Sequence, residues 1–278
     1  MSLKIHHLNC GTMCPHGQRL INGTGGLLAP ANMCCHCLLI ESADGLVLVD
    51  TGLGSGDIQD PRHLGKGFLF VTRPKLRMEE TALQQVQALG FKPADVRHIV
   101  VTHLDLDHAG GLPDFPEAQV HVFAPEQHAA LARPTVGEKA RYRPAHFAHR
   151  PKWVTHEVQG ERWHGFDAIR ALPGSRDEIL LVPLVGHTRG HCGVAVNTGG
   201  PDGKSWLMHC GDAYFYRDEV KPEQPYCTPG LKIFQNLVQI DGVQRRANQA
   251  RLRELVRGAG QEVELFCAHD PVELARYK

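Results

Sequence analysis

Thr102-His103-Leu104-Asp105-Leu106-Asp107-His108-Ala109-Gly110-Gly111 is the stretch on which the reading of this chain turns. Four side chains able to ligate a metal, His103, Asp105, Asp107 and His108, fall within six residues. They follow the apolar run Ile99-Val100-Val101, which reads as a short buried strand, and the glycine pair reads as the turn after it. Burying several imidazoles and carboxylates at the end of a strand is costly unless a cation or a hydrogen-bond network compensates them. A polar surface loop is the simpler alternative. The crowding of donors favours a metal-binding loop.

Further donors stand at the ends of other strand-like runs. Asp50 closes Leu46-Val47-Leu48-Val49-Asp50-Thr51-Gly52, and His187 lies in Gly186-His187-Thr188-Arg189-Gly190-His191. Asp212 lies in Cys210-Gly211-Asp212, and His269 in Cys267-Ala268-His269-Asp270. The loop His-x-Asp-x-Asp-His-Ala-Gly-Gly resembles the signature of the metallo-β-lactamase superfamily, usually His-x-His-x-Asp-His. The other four motifs are similar to that family's in chain order, so the resemblance spans residues 35 to 270. It implies an α/β fold, the four-layer αβ/βα sandwich of two packed sheets with helices outside. The alternation of strand and helix patterns is compatible with it.

The resemblance also implies a ligand set. His103, Asp105 and His187 would hold one metal ion, Asp107, His108 and His269 a second, and Asp212 would bridge them. Two divalent ions are expected, zinc first, with iron or manganese open. Asp212 and Asp107 would also serve catalysis, Asp212 by handling protons. Position 105 departs from the pattern, since most relatives carry His there; the family's di-iron flavoproteins carry a carboxylate. Two divalent ions and a hydroxide bring three positive charges, which three carboxylates cancel where two would not. A less acidic bound water and a greater preference for harder ions are the expected consequences. Asp50 reads either as a partner fixing a ligand histidine or as a cap on the Gly52 turn. His191 and Asp270 read as braces. Tyr214 and Tyr216 lie near the place where lactonase relatives have a substrate-contacting Tyr, but the offset does not match.

The activity implied is a metal-dependent hydrolase, a hydroxide shared by the ions attacking an ester-type bond. The loop and the chain length are most similar to the lactonase branch, so a lactone such as an N-acyl homoserine lactone is the first substrate class. A glyoxalase II-like thioesterase and a phosphodiesterase are the alternatives. A non-haem iron redox enzyme of the persulfide dioxygenase kind is the alternative of another class, and a binding protein with a degraded site a third.

Composition sets the outer bounds. At 278 residues with 42% hydrophobic content, a single domain spanning 1–278 has ample core. Thirty basic residues balance thirty acidic ones, so no electrostatic footprint for nucleic acid is present. The N-terminus has no apolar stretch of a secretory signal, and no apolar run approaches the roughly 20 residues needed to cross a bilayer. Nine cysteines, an odd number, read as reduced thiols in a cytoplasmic protein. The expected partner is a small-molecule substrate, with neither membrane nor nucleic acid; the oligomeric state, a homodimer included, is open.

Local patterns fill in the rest. Residues 1–33 read as an irregular segment over the sheet and 53–77 as a loop. Cys35 to Ile40 reads as a strand, whose alternating faces keep Cys34, Cys35 and Cys37 from converging on one ion; buried cysteine then behaves as a small hydrophobe. Ala43-Asp44-Gly45 reads as a hairpin turn. Helices are expected around Leu83 to Leu89 and over 244–257. Residues 133–165 hold three prolines, five arginines, four histidines and two tryptophans with little periodicity. That length without regular structure suggests an insertion forming a substrate-pocket wall, with a solvated excursion or an oligomer contact as the alternative.

Overall fold

The computed structural model describes residues 3–157, 161–172, 178–199 and 205–278. Two six-stranded sheets face each other. The first runs β1 (Lys4–Met13), β2 (Met33–Ser42), β3 (Gly45–Val49), β4 (Val96–Val100), β5 (Gln119–Phe123), β6 (Lys152–His156), in that spatial order. The second contains β7 (Glu161–Trp163), β8 (Phe166–Arg170), β9 (Ile179–Pro183), β10 (Cys192–Asn197), β11 (Trp206–His209) and β12 (Val263–Phe266). Its order is β12-β11-β10-β9-β8-β7.

Strand periodicity separates the layers. On β2, Leu38 and Ile40 face the second sheet and meet Leu181, Val194 and Phe266 in the inter-sheet core. Cys37 and Leu39 point the other way, toward Val86, Ala129 and Ala130 of the outer helices. On the far side, Leu252 and Leu255 of the helix Gly242–Ala259 cover the second sheet. Helix, sheet, sheet, helix is the four-layer sandwich anticipated from the motifs. β3 to β6 are parallel, as are β11 and β12. The donor-bearing segments after β3, β4, β11 and β12 all follow the C-terminal ends of their strands.

Three segments differ from the sequence reading. The N-terminal stretch contains β1, a ten-residue strand paired antiparallel with β2. Its mixed run of His, Asn and Cys shows no clean alternation, and pairing with an almost wholly buried β2 makes it a strand. Residues 53–77 contain helices Ser55–Gln59 and Lys66–Thr72. In 133–165, only the first part is an excursion, built on the helix Val136–Arg141. Lys152–His156 pairs parallel with β5, and Glu161–Trp163 forms the edge of the second sheet; residues 158–160 lie outside the described residues.

The glycine pair also plays another part than a turn. Gly110 is right-handed (φ −59°), and a Cβ there would lie 2.4 Å from Asp57 Oδ2 and 2.7 Å from Gly52 O. It is small because the loop lies directly against residues 52–57.

Two buried carboxylates lock the loops. Glu126, in the first turn of the helix Ala124–Ala132, is fully buried. It accepts from Leu104 N (3.0 Å), Gly190 N (2.9 Å) and Tyr142 Oη (3.1 Å), tying the 102–111 loop to the His187 loop. Glu273 accepts from Cys267 N (2.8 Å) and from Tyr214 Oη (3.3 Å) beneath the end of β12. Burial, reinforced by Asp270, raises its pKa from 4.5 to about 7.

A carboxyl with a folded pKa above its unfolded value stabilises fully below the unfolded pKa and loses that contribution as pH rises through the folded one. Ionising Glu273 in place therefore costs about 3 kcal/mol. Thermal unfolding of Glu273→Gln followed from pH 4.5 to 8 should decline less steeply with pH than that of the unaltered protein. Parallel curves would remove Glu273 from that role.

Candidate metal centre

Asp212 is the centre of the cluster, and each of its oxygens faces a different pair of histidines. Oδ2 lies 3.4 Å from His187 Nε2 and 3.8 Å from His103 Nε2. Oδ1 lies 3.1 Å from His269 Nε2 and 3.3 Å from His108 Nε2. Asp105 Oδ2 completes the first group, 3.1 Å from His187 Nε2 and 3.5 Å from His103 Nε2. Asp107 Oδ2 joins the second, 3.7 Å from His269 Nε2. All seven residues named from the motifs are thus brought together from positions 103 to 269.

The other ring nitrogens show which way these imidazoles are set. His108 Nδ1 donates to Asp50 Oδ2 (2.8 Å), and His269 Nδ1 donates to Cys34 O (2.7 Å). His103 Nδ1 donates to Thr102 Oγ1 (2.9 Å), whose hydroxyl in turn donates to Asp50 (2.8 Å). With the Nδ1 atoms of these three rings engaged outward, their Nε2 atoms turn inward. The Nε2 atoms of His108 and His269 lie 3.4 Å apart. His103 Nε2 and Asp212 Oδ1 have no hydrogen-bond partner among the described residues. Inward lone pairs around buried carboxylates fit divalent cations and little else.

The titration directions agree. Burial opposes a charge on His108, yet Asp212 and Asp50 raise its pKa well above the imidazole range. Burial likewise opposes ionisation of Asp212, yet His269 and His108 hold it well below the carboxylate range. The bare cluster holds protons where a cation fits.

Asp50 combines the two readings offered for it. It adopts a left-handed backbone (φ 56°) at the turn before Gly52. Its carboxylate also accepts from Thr102 N (2.7 Å), Thr102 Oγ1 and His108 Nδ1. His191 is buried, donates to Leu184 O (3.0 Å) and accepts from Asp212 N (2.8 Å). Burial chiefly holds it neutral. Asp270 accepts from Arg217 and from Val272 N, capping the helix Pro271–Leu274. Tyr214 is turned into the core toward Glu273, and Tyr216 Oη accepts from Arg217. Between them, Phe215 stacks on His269 with ring centroids 5.2 Å apart.

Two contributors escape a reading of the motifs. Arg141, the last residue of the helix Val136–Arg141, has its Nε 3.1 Å from Asp105 Oδ1. The neutral charge sum expected from a third carboxylate is therefore offset by a guanidinium; Asp105 is held well below its ordinary pKa, burial opposing and Arg141 the largest favourable influence. Cys35, read as a small hydrophobe, has its Sγ within 4.8 Å of donor atoms of Asp107 and His269. Neither carries a local signal: Arg141 sits in an aperiodic run, and Cys35 is one of three cysteines in the first half of β2. An apolar cluster of Met13, Met33, Phe215 and Leu231, with Phe68 and Phe234 against it, includes Cys35 and so borders the second group.

All nine cysteines are free, and among the described residues no helix is long and apolar enough to cross a membrane. The metallo-beta-lactamase superfamily model matches residues 35–257. The chain is 43% identical to the probable metallo-hydrolase Rv2300c of Mycobacterium tuberculosis over 99% of this chain and 83% of that protein. It is 35% identical to the N-acyl homoserine lactonase AttM of Rhizobium johnstonii, over 42% of this chain and 44% of that one. Among solved structures, a variant of the Bacillus thuringiensis protein AiiA with N-decanoyl-L-homoserine at its active site superposes with a TM-score of 0.73. It does so at 21% identity, covering 100% of this chain and 98% of that one. The dizinc quorum-quenching lactonase AidC gives a TM-score of 0.60 at 19% identity, covering 97% of this chain and 88% of that one. The matched residues, the sandwich and the order of the motifs agree: the chain belongs to the metallo-β-lactamase superfamily.

Proposed function

We propose that this metallo-hydrolase opens ester-type bonds at a binuclear centre, and that its substrate is a lactone bearing an apolar arm. The observation that carries the reading is Asp212, whose two oxygens each face a separate pair of inward-turned histidines. In this reading His103, Asp105 and His187 would hold a first ion and Asp107, His108 and His269 a second, with Asp212 available to both. Divalent ions held there, zinc first, supply Lewis acidity and a water acidified toward neutral pH.

The chain's own groups complete the chemistry. Asp50, Thr102 and Cys34 O keep the histidine lone pairs aimed inward. Asp212 and Asp107, the carboxylates beside His269, relay the proton to the departing alcohol. Phe68 and Phe234, the partly exposed aromatics packed on the apolar cluster of Met13 and Phe215, offer a wall for an acyl arm. Two relatives of the same fold carry acyl homoserine in their names, which suits a lactone before a thioester or phosphodiester. The Arg141 counter-charge offsets the third carboxylate, the feature that would favour an iron redox centre. Nine free thiols suit a reducing, cytoplasmic setting and a small-molecule substrate.

A substrate panel decides the reaction. Zinc-loaded protein should hydrolyse N-acyl homoserine lactones, faster with longer acyl arms, lose the activity to a chelator and regain it with Zn²⁺. Turnover of thioesters or phosphodiesters with inert lactones, or an iron chromophore with oxygen consumption, would overturn the reading. His103→Ala should lower bound metal and reduce kcat/KM by more than Asp50→Asn does. For Asp50→Asn, loss of an outer partner should cost about 10–100-fold. Elemental analysis and lactone kinetics on both variants check the ranking, and wild-type metal content in His103→Ala would contradict it.

A further inference from the structure

Asp105 and Arg141 meet although they come from separate elements, the metal loop and the excursion helix. Each side chain is only 12% exposed. Arg141 is engaged at every arm: Nε forms an ion pair with Asp105 Oδ1 at 3.1 Å, one terminal nitrogen donates to His187 O (3.0 Å), and the other donates to Val238 O (2.7 Å). The guanidinium thus touches two members of the first donor group, one through its carboxylate and one through its backbone. Its helix is held in place independently. Thr135 and Glu138 form a reciprocal cap at its start, and Arg189, two residues beyond His187, pairs with Glu138 at 2.7 Å.

A buried cation beside a site for divalent ions is unfavourable unless a carboxylate sits between them. A carboxylate at 105 in turn adds a third negative charge to the cluster. Each residue removes the cost of the other. We propose that Arg141 is a positioning residue of the first metal position, and that it forms with Asp105 a unit that can be exchanged only as a whole. It fixes Asp105 by Oδ1, so that Oδ2 is the oxygen offered beside His103 and His187. This inference rests on reading the cluster as a metal centre.

The test is a cycle of Asp105→His, Arg141→Met and the double variant. Each is compared with the unaltered full chain for zinc per chain at buffered free Zn²⁺ and for thermal stability of the metal-free protein. The unaltered chain should hold two ions. Asp105→His alone leaves the guanidinium without its carboxylate and should weaken the first ion by about a hundredfold or more, leaving one ion per chain. Adding Arg141→Met should restore the first ion, returning the count to two per chain. In metal-free protein, Arg141→Met should lower Tm when residue 105 is Asp and raise it when residue 105 is His. A purely structural arginine would lower Tm in both backgrounds.

If Asp105→His does not fold, Asp105→Asn, which keeps the shape and removes the charge, carries the same sign test without metal. Two tightly held ions in Asp105→His, or no rescue by the second substitution, would overturn the proposal. An unaltered chain that holds no zinc under any condition would instead refute the metal centre itself, and the proposal with it.

Discussion

Everything about the centre depends on where the histidine protons are. Each imidazole has one nitrogen to give, and the fold engages the Nδ1 protons of His103, His108 and His269 with Thr102, Asp50 and a main-chain carbonyl. Only then are the Nε2 atoms free as donors to a cation. Were those acceptors absent, the rings could rotate, and Nε2 would no longer be fixed toward Asp212. The outward hydrogen bonds are weak individually, about 1 kcal/mol each. Together they fix the orientation in which each Nε2 faces the centre.

The sandwich supplies the second requirement, that ligands far apart in sequence arrive at one place. Parallel pairing of β3 with β4 and of β11 with β12 brings four strand exits to a common edge. Buried carboxylates then join the loops across the two sheets, Glu126 linking Leu104 to Gly190 through main-chain donors. Such contacts are made to backbone groups, so they fix loop paths without depending on neighbouring side-chain identity.

Much of this was legible in the sequence because polar ligands at strand ends are unusual there. The motifs around Asp50, His103, His187, Asp212 and His269 each follow an apolar run, and the structure gathers all five. What was not legible lacked a local pattern. β1 becomes a strand by pairing with β2, since its own residues do not alternate. Arg141 acquires its meaning only from Asp105, thirty-six positions earlier, and from a main-chain oxygen at His187. Phe215 could be placed beside Asp212 by counting, but its stacking on His269 comes from the meeting of β11 and β12.

The left-handed backbone at Asp50 narrows what evolution can place there. Glycine would adopt that handedness most easily, but would abandon Thr102 and the His108 ring. Glutamate would keep the charge while being poorly suited to the mirror-image turn. Asparagine tolerates the turn, yet its amide brings N–H where the neighbours already donate. Aspartate alone meets both demands, so a left-handed backbone step and a proton anchor share one residue and must be inherited together.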